Sequence, residues 1–465
     1  MDTTQNLLKL LQSVDEKSVA VGLEIHKANP TPESSALLED YLVLYRLLHR
    51  HQTIQSLEAQ HIATLNEQEF LNWAMQKIDN FPVEIFRLVN LRDLDIRENN
   101  LEQIPSQIGQ LTNLEDLCLY GNPIKRLPKE IGNLYNLTHL YLSELQLEQW
   151  PKEIEPLTNL VYLDLNYNQL SKVSAEIGSL VNLQELCVYE NQLTELPKEI
   201  GQLVNLQVLK LSFNQLTQIP KEIGRLASLE TLQLDNNQLT QLPKEIGDLS
   251  NLQELNIGNN PLTCLPQSLQ KLKNLMLYCY DSNLSPNLLL DICQLNHLQF
   301  LDIGNNQLRQ LPQEIEQLTS LLGIALYGNP LGHLPKVIEQ LVNLQYLYLN
   351  DTQLKQWPRE IEKLPHLQEL ALKNNQLSSV SREIGQLVNL QNLNLANNQL
   401  SSLPKEIEQL ANLEDLDLRD NQLTSLPKEI EVLTKLEYLC LKDNPIPQKQ
   451  KEIIQAALPN CDITW

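Results

Sequence analysis

The sequence predicts an α/β solenoid with a parallel sheet on one face and short helices on the other, preceded by an all-α N-terminal segment. A unit of 23 residues recurs fifteen times without insertion or deletion from Leu91 to Lys435, and a modified sixteenth copy starts at Leu436. Within each unit, an alternating apolar stretch is followed by apolar residues at i and i+3. Self-similarity at such a fixed period is typical of stacked repeat proteins.

The first part of each copy is predicted to form a strand. In the fifth copy, Leu183 to Asn205, leucine-type residues fall at positions 1, 4, 6, 11, 14, 18 and 21. Positions 3 to 7 alternate, so residues 4 and 6 point into a core and residues 3, 5 and 7 point to solvent. Stacked copies of this strand form a parallel sheet.

The second part of each copy is predicted to return through a short helix. Proline holds position 15 in twelve of the fifteen regular copies, and the sequence KEIGxL often follows it. Proline suits the first turn of a helix, and positions 18 and 21 then pack against the leucines of the strand. Because strands pack more closely than helices, we expect a horseshoe with the sheet on its concave face.

Asparagine at position 9 is predicted to close the turn after each strand. Fourteen copies carry it, including Asn283 in the ninth copy, while Leu145 and Thr352 replace it in two others. A buried amide both donates to and accepts from backbone groups that the turn leaves unpaired. We therefore interpret these asparagines as structural.

The predicted domains follow from where the repeat period starts and stops. Residues 1–80 are expected to form a helical N-terminal cap or a docking domain, with one helix over about 16–28 and another beginning at Thr31-Pro32. Residues 81–90 form a half repeat, residues 91–446 hold the sixteen copies, and residues 447–465 form a C-terminal cap. Solenoid ends need such caps because their last hydrophobic layer is otherwise exposed.

The pattern LxxLxLxxNxL, followed by LPKEIGQLVN, resembles the leucine-rich repeat. The 23-residue length of the repeat is similar to that of the repeats in many bacterial proteins and in the Ras-associated scaffolds of eukaryotes. The C-terminal sequence NPIPQKQKEIIQAALPNCDITW resembles the cap of bacterial members. The resemblance implies the horseshoe fold and a role in protein binding, with partners that differ between members.

Composition narrows the class of partner. The formal net charge of -23 repels polyanions and argues against nucleic acid or an anionic membrane, so a basic protein surface is the better match. No apolar run reaches the roughly 18 residues that cross a bilayer, and the first residues carry no basic segment typical of a secretion signal. We expect a soluble, cytoplasmic monomer.

The seven cysteines predict reduced thiols. Cys118, Cys187, Cys279 and Cys440 all fall at position 5, and the nearest two lie three copies apart, about 14 Å at about 4.8 Å per strand. A disulfide needs Cα atoms within about 7 Å. Because Cys-x-x-Cys motifs and Cys/His clusters do not occur, we expect no metal site and no cofactor.

The sequence predicts no catalytic activity. It holds no GxxxxGK[ST], HExxH or GxSxG motif. Cys118 is the simplest candidate nucleophile, but Asp116 lies on the same predicted face, and a neighbouring carboxylate raises a thiol pKa. The prediction is therefore a non-enzymatic protein.

Solvent-facing positions 3, 5, 7 and 8 of the predicted strands form the candidate binding surface. They carry eighteen acidic residues and five basic ones, which leaves thirteen negative charges in excess. A partner with basic and apolar patches fits this surface, although aromatic residues also stabilise neighbouring strands by packing. The candidate aromatic residues are Tyr120, His139, Tyr141, Tyr162, Tyr167, Tyr189, Phe213, Phe300, Tyr327, Tyr346 and Tyr348, and the acidic flanks are Asp93, Asp95, Asp116, Asp164, Glu185, Asp415 and Asp417.

A shift of 207 residues, or nine copies, aligns distinctive positions and indicates a block duplication. It places Tyr120 on Tyr327, Tyr141 on Tyr348 and Trp150 on Trp357. The tryptophans hold position 14 and are interpreted as core residues. In the degenerate ninth copy, Leu275 to His297, the same numbering puts Tyr278 and Tyr280 at core leucine positions.

Three functions fit these observations. The leading hypothesis is a scaffold that binds one or more proteins on its concave face. A stoichiometric inhibitor or regulator of a basic enzyme would use the same face but change its target's activity. A secreted effector or surface adhesin would be found outside the cell.

Overall fold

The computed structural model describes residues 3–49 and 54–465. The chain forms two compact units, an N-terminal unit of Met1–Gln215 and a C-terminal unit of Leu216–Trp465. Within the described residues, no helix has both the length and the apolar character to span a bilayer.

The N-terminal unit begins with four α-helices: α1 (Thr3–Leu11), α2 (Glu16–Ala28), α3 (Pro32–Leu48) and α4 (Ala59–Asn66). Asp15 caps α2 by accepting from the Ser18 N–H, and Thr31 caps α3 in a capping box with proline at the first position. The predicted start at Thr31-Pro32 is confirmed.

A buried hydrogen-bond chain ties these helices together. The Tyr41 hydroxyl donates to Asn66 Oδ1 at 2.5 Å, and Asn66 Nδ2 donates to the Leu11 carbonyl at 2.9 Å. Tyr41 and Leu11 are fully buried. The arrangement satisfies the polar atoms that α1, α3 and α4 bury between them.

Seven parallel strands, each paired with the next in sequence, form the sheet of the N-terminal unit. The first strand pairs Phe70 with Asp93, one full repeat length further along the chain, although it lies within the stretch that we expected to be helical. The strands are β1 (Phe70–Asn72), β2 (Asp93–Asp95), β3 (Asp116–Cys118), β4 (His139–Tyr141), β5 (Tyr162–Asp164), β6 (Glu185–Cys187) and β7 (Val208–Lys210).

The C-terminal unit repeats the arrangement with eleven parallel strands. It also contains two α-helices, α5 (Pro286–Cys293) and α6 (Gln448–Ala457). The strands are β8 (Thr231–Gln233), β9 (Glu254–Asn256), β10 (Met276–Tyr278), β11 (Phe300–Asp302), β12 (Gly323–Ala325), β13 (Tyr346–Tyr348), β14 (Glu369–Ala371), β15 (Asn392–Asn394), β16 (Asp415–Asp417), β17 (Tyr438–Cys440) and β18 (Asp462–Thr464).

The return segments are mostly 3₁₀ helices, shorter and tighter than α-helices. Proline usually lies just before the first helical residue, as Pro197 does before Lys198, and Ile200 of that segment is fully buried. The 3₁₀ segments are Val83–Arg87, Ser106–Gln110, Lys129–Asn133, Lys152–Ile154, Ala175–Ser179, Lys198–Gln202, Lys221–Arg225, Lys244–Asp248, Gln267–Lys271, Gln313–Gln317, Lys336–Gln340, Arg359–Lys363, Arg382–Gln386, Lys405–Gln409 and Lys428–Val432.

The core of both units is a stack of the predicted leucine positions. Leu94 and Leu117 are fully buried at the centres of β2 and β3, while Asp93 and Asp116 beside them are only half-buried. Each buried leucine side chain contributes about 1.5 to 3 kcal/mol to folding. Trp150 and Trp357, 6% and 7% exposed, also lie in the core, as predicted.

The position-9 asparagines are structural, as predicted, except Asn283 of the ninth copy, which is exposed. Asn122, 1% exposed, donates from Nδ2 to the carbonyls of Ile96 and Leu119 and accepts from the Leu101 N–H. One side chain thus links the turns of two successive copies. Where Thr352 replaces asparagine, its hydroxyl donates to the Leu349 carbonyl at 2.7 Å and keeps part of the pattern.

The ninth copy departs from the predicted numbering. Glu254 pairs with Met276, an interval one residue shorter than the period, and Met276 pairs with Phe300, an interval one residue longer. The strand of the ninth copy therefore starts one residue earlier than the period predicts, and the strand of the tenth copy returns to the predicted numbering. The prediction that Tyr278 and Tyr280 replace core leucines is wrong.

Core and surface positions in the ninth copy shift together. Leu277 and Cys279 point inward, which also moves Cys279 from the predicted position 5 into the core. Ser282 takes the turn position expected for Asn283, and its N–H donates to Asn306 Oδ1. Apolar burial decides the register here, since a one-residue slip exchanges the two faces of a strand.

Candidate partner-binding surface

The sheet face, meaning the solvent-facing side chains at positions 3, 5, 7 and 8, carries all eleven aromatic residues named from the sequence. Tyr167 and Phe213 are exposed, at 48% and 45%, and the other nine are half-buried. None of the eleven lies in the core. All eleven side chains are thus partly accessible to solvent.

In the N-terminal unit, three of these residues form a contiguous strand cluster. The Tyr141 and Tyr162 ring centroids are 4.9 Å apart, and His139 lies 6.1 Å from Tyr162. His139 Nδ1 is 3.0 Å from Asp116 Oδ1. Burial raises the pKa of Tyr162 further above its ordinary value of 10.0, so this hydroxyl stays protonated at neutral and at moderately alkaline pH.

A second cluster lies at the turns that follow β5, β6 and β7. The Tyr189 ring packs edge-on against Tyr167 at 4.7 Å and against Phe213 at 6.3 Å. Tyr120 lies apart from both clusters, and the charge of Glu144 is the main cause that raises its pKa. The sequence placed these residues on one surface but did not separate the two clusters.

In the C-terminal unit, Phe300 lies between two tyrosines. Its ring centroid is 5.6 Å from Tyr278 and 6.4 Å from Tyr348. Tyr346 is half-buried on the same strand as Tyr348. The rings lie close to the sheet because glycine leaves room: a Cβ at Gly323 would come within 2.5 Å of the Phe300 ring.

Tyr327 also lies flat on the sheet. A Cβ at Gly304 would collide with its ring, and its hydroxyl donates to Asp302 Oδ2 at 3.1 Å. This contact holds the ring down, so Tyr327 presents a face rather than a hydroxyl to solvent. It differs from Tyr120, its counterpart in the duplicated block, whose strongest electrostatic neighbour is Glu144.

Three more aromatic residues, Tyr278, Tyr280 and Phe70, lie on the sheet face although they were not predicted there. Tyr278 and Tyr280 were assigned to the core, but the alternation of Leu275, Leu277 and Cys279 was a signal for the other register. Tyr280 donates to Asp235 Oδ2 at 3.1 Å. Phe70, 62% exposed on β1, pairs with Asp93 and would have followed from extending the repeat period backwards by one copy.

Several of the predicted acidic flanks are partly neutralised by neighbouring cations. Glu185 Oε1 binds Lys210 Nζ at 2.7 Å. Asp95 Oδ2 lies 3.4 Å from Arg97 Nε, and Asp417, 4% exposed, binds Arg419 at 2.5 Å. These three carboxylates therefore attract a cationic partner less strongly than the count of acidic residues in the sequence suggested.

The remaining acidic flanks form no ion pair with a lysine or arginine side chain among the described residues. Burial, together with the charges of Asp116 and Asp95, raises the pKa of Asp93. Burial, and then the charge of Asp417, raises the pKa of Asp415. Asp164 accepts from Ser143 Oγ and the Asn166 N–H, yet burial still raises its pKa. A cation that approached Asp93 or Asp415 would relieve this repulsion.

Each unit has a cavity of about 300 Å³ on its sheet face, where aromatic and acidic side chains meet. In the N-terminal unit, Phe70 and Tyr141 line it together with Asp93 and Asp116. In the C-terminal unit, the lining residues include Tyr348, Asn350, Glu369, Asn394 and Asp415. Both cavities suit a side chain that is apolar along its stem and cationic at its tip.

The cysteine chemistry argues against a thiolate nucleophile on this face. All seven thiols are free. Burial raises the pKa of Cys118 to about 12, with the charge of Asp95 next, so the predicted direction is right, but the causes are burial and Asp95 where Asp116 was predicted. Burial likewise raises the pKa of Cys187 to about 12. Among the described residues, no group of three or more His, Cys, Asp or Glu side chains could hold a metal ion.

The residue at position 8 of each copy adopts the left-handed backbone conformation. In the N-terminal unit these residues are Glu98, Gly121, Glu144, Tyr167, Glu190 and Phe213, and in the C-terminal unit they are Asn236, Asn259, Asp281, Asn305, Gly328, Asp351, Asn374, Asn397, Asp420 and Asp443. Glycine, asparagine and aspartate tolerate this conformation best. All ten copies in the C-terminal unit follow that preference.

Sequence comparison agrees with this architecture. Residues 31–161, 148–238, 279–393 and 378–453 match the leucine-rich repeat region family, and residues 227–278 match the leucine rich repeat. The chain therefore belongs to the leucine-rich repeat family, whose members generally act in protein–protein interaction. Among curated proteins, none is detectably similar in sequence to this chain.

Several solved structures are similar to this chain. A leucine-rich repeat protein from Leptospira interrogans is 41% identical, with 86% of this chain and 96% of that chain covered and a TM-score of 0.65. The ectodomain of the plant membrane receptor kinase GASSHO1/SCHENGEN3 from Arabidopsis thaliana, solved in complex with Casparian strip integrity factor 2, is 31% identical, with 78% and 45% covered and a TM-score of 0.50. The functional domain of InlJ from Listeria monocytogenes, at 19% identity, 88% and 80% coverage and a TM-score of 0.55, shares the fold.

Proposed function

We propose that this protein is a non-enzymatic interaction scaffold that binds a partner protein through the sheet face. The observation that carries the proposal is that both units combine half-exposed aromatic rings with carboxylates, Asp93 and Asp415, that form no direct ion pair. Aromatic residues are typical anchors of protein interfaces because they bury a large area at low entropic cost. The residues remain exposed or half-buried although several of their rings pack against one another.

The partner that fits this surface presents basic and apolar side chains along an extended or convex segment. Asp93 and Asp415, whose pKa values burial and like charge raise, are the natural contacts for its cations. Tyr141 and Tyr348, which line the two cavities, are the natural contacts for its apolar atoms. The Arabidopsis ectodomain in complex with Casparian strip integrity factor 2 supports the use of this fold for recognising another chain.

We assign the scaffold to a reducing compartment, such as the cytoplasm. Seven free thiols, several of them with strongly raised pKa values, support this assignment because none needs to pair for the fold to form. The similarity to a Leptospira interrogans protein supports a bacterial origin. The net charge of -23 disfavours nucleic acid as the partner.

Affinity purification from cells that express the protein tests the proposal. The wild type is compared with a Tyr141→Ala, Tyr162→Ala variant and with a Tyr135→Ala control, which removes a 58%-exposed tyrosine outside the strands. We expect the first variant to lose the co-purifying protein and the control to keep it. Equal recovery of the same protein by all three would contradict a binding role for this cluster.

A further inference from the structure

Two residues of the second aromatic cluster of the N-terminal unit have a backbone conformation that bulky side chains rarely adopt. Tyr167 and Phe213 have φ angles of 53° and 54°, in the left-handed region. Bulky side chains are outliers there, because Cβ approaches the following carbonyl oxygen. The ten equivalent residues of the C-terminal unit are all glycine, asparagine or aspartate, so the fold itself does not call for a ring at this position.

The two side chains are not buried despite this backbone conformation. The Tyr167 and Phe213 side chains remain 48% and 45% exposed. Their contact is with Tyr189, whose ring stands edge-on to both at 4.7 and 6.3 Å. A residue held in a sparsely populated conformation without burial is a reason to look for a function.

The middle copy of this cluster also contributes a carboxylate. Glu190 follows Tyr189 and occupies position 8 between Tyr167 and Phe213, with its N–H bonded to the Ser212 carbonyl at 3.0 Å. It forms no ion pair within the residues that the structure describes. Lys210, the one basic residue on the sheet face of these three copies, is already bound to Glu185.

We propose that Tyr167, Tyr189, Phe213 and Glu190 form a docking site for one arginine or lysine side chain of an extended protein segment. This inference rests on the proposed function and assigns it a specific anchor. Aromatic ring faces attract a cation, the carboxylate adds its charge, and the rings cover the aliphatic stem of the incoming side chain. Charge complementarity selects a basic protein segment, since the net charge of -23 repels nucleic acid.

A binding role and a packing role for Tyr167 and Phe213 predict different effects of substitution. Asparagine is the residue at five of the ten equivalent turns, those that follow strands β8, β9, β11, β14 and β15. Tyr167→Asn with Phe213→Asn should therefore fold normally and melt at the same temperature as the wild type or higher. The same variant should bind a basic peptide more weakly.

The test uses a fluorescein-labelled heptapeptide of alternating arginine and leucine, titrated with the full-length protein at low salt and followed by anisotropy. We expect Tyr167→Asn, Phe213→Asn to weaken binding by at least about fivefold, and Glu190→Gln to weaken it by a smaller factor. Tyr135→Asn, which removes another exposed tyrosine of this unit, should leave both affinity and melting temperature unchanged. A heptapeptide with glutamate in place of arginine should not bind the wild type.

Three outcomes overturn the proposal, and they are distinguishable. Unchanged affinity in the double variant would reject this site while leaving the proposed function intact, provided that Tyr141→Ala, Tyr162→Ala abolishes binding. A melting temperature lowered by several degrees would show that the rings are packing residues. If the wild type binds no arginine peptide but binds the glutamate peptide, both this site and the proposed basic partner are wrong.

Discussion

The asparagine turn gives the sharpest test of how the repeats are held together. Asn329 is fully buried, donates from Nδ2 to the carbonyls of Ile303 and Leu326, and accepts at Oδ1 from the N–H groups of Asn306 and Leu308. Replacing it with leucine keeps the approximate volume but removes every one of these partners.

The expected loss of stability follows from the groups left unpaired. Each buried backbone group that loses its partner costs about 1 to 3 kcal/mol, and the added apolar area of leucine returns about 1 kcal/mol or more. With two N–H donors and two carbonyls affected, some of which can reach water after a small shift, we expect Asn329→Leu to lower the free energy of unfolding by about 2 to 4 kcal/mol. The measurement is urea denaturation followed by circular dichroism.

The matched control is another asparagine of the same copy. Asn343 Nδ2 donates to the Thr319 carbonyl at 2.9 Å, but this side chain is exposed, so water can replace the bond. Asn343→Leu should cost less than about 1 kcal/mol. A loss below about 0.5 kcal/mol for Asn329→Leu, or equal losses for the two variants, would refute the view that the asparagine turns satisfy otherwise orphaned backbone groups.

Three further predictions concern the sheet face and the thiols. Gly304→Ala should lower the melting temperature because its Cβ collides with the Tyr327 ring, and adding Tyr327→Ala should remove that penalty; additive losses in the double variant would contradict this. Burial raises the pKa of Asp302, so the folded state holds this proton more tightly than the unfolded state, and stability falls as pH rises above the ordinary carboxyl value of 3.8. Asp302→Asn should therefore gain stability relative to the wild type at pH 7 but not at pH 3, as measured by urea denaturation; a gain of the same size at both values would contradict the assignment. In the folded protein, iodoacetamide should label exposed Cys264 first and buried Cys279 last, whereas all seven thiols should react in urea; early labelling of Cys279, read by mass spectrometry, would contradict its place in the core.

The sequence predicted the fold because the pattern of apolar residues and the backbone geometry have the same period. Leu94, Leu117 and their equivalents mark strand centres, and alternation alone says which neighbours face solvent. The asparagine turn was predictable because a buried amide needs both donors and acceptors, and the backbone groups of the turn supply them. The return segments were predicted as helical, but the choice of 3₁₀ over α geometry depends on how little chain separates Pro197 from Leu203.

The ninth copy shows where this reasoning fails. Regular spacing favoured Tyr278 and Tyr280 as core residues, whereas burial favoured Leu277 and Cys279. The alternation of Leu275, Leu277 and Cys279 favoured the second register, and the structure adopts it because a one-residue slip would exchange the buried and exposed faces of the strand.

The membership of the sheet face could be predicted, but its electrostatics could not. Alternation placed Glu185 and Asp417 on the surface. Whether Lys210 reaches Glu185 on the preceding strand depends on side-chain geometry across the sheet. The burial of Asp417 against Arg419 is likewise a property of the packed structure. The left-handed conformation of Tyr167 and Phe213 is signalled by the glycine, asparagine and aspartate at the same position of other copies, and not by tyrosine and phenylalanine themselves, which usually avoid it.

The central claim, that the sheet face binds basic and apolar protein segments, is tested most directly by selecting a random peptide library on the immobilised protein. We predict that the enriched peptides carry net positive charge and large apolar residues, and that they lose affinity for a variant with Tyr141→Ala and Tyr348→Ala while keeping it for the Tyr135→Ala control. Enrichment of acidic or uncharged peptides, or binding that survives the loss of both sheet-face tyrosines, would contradict the claim.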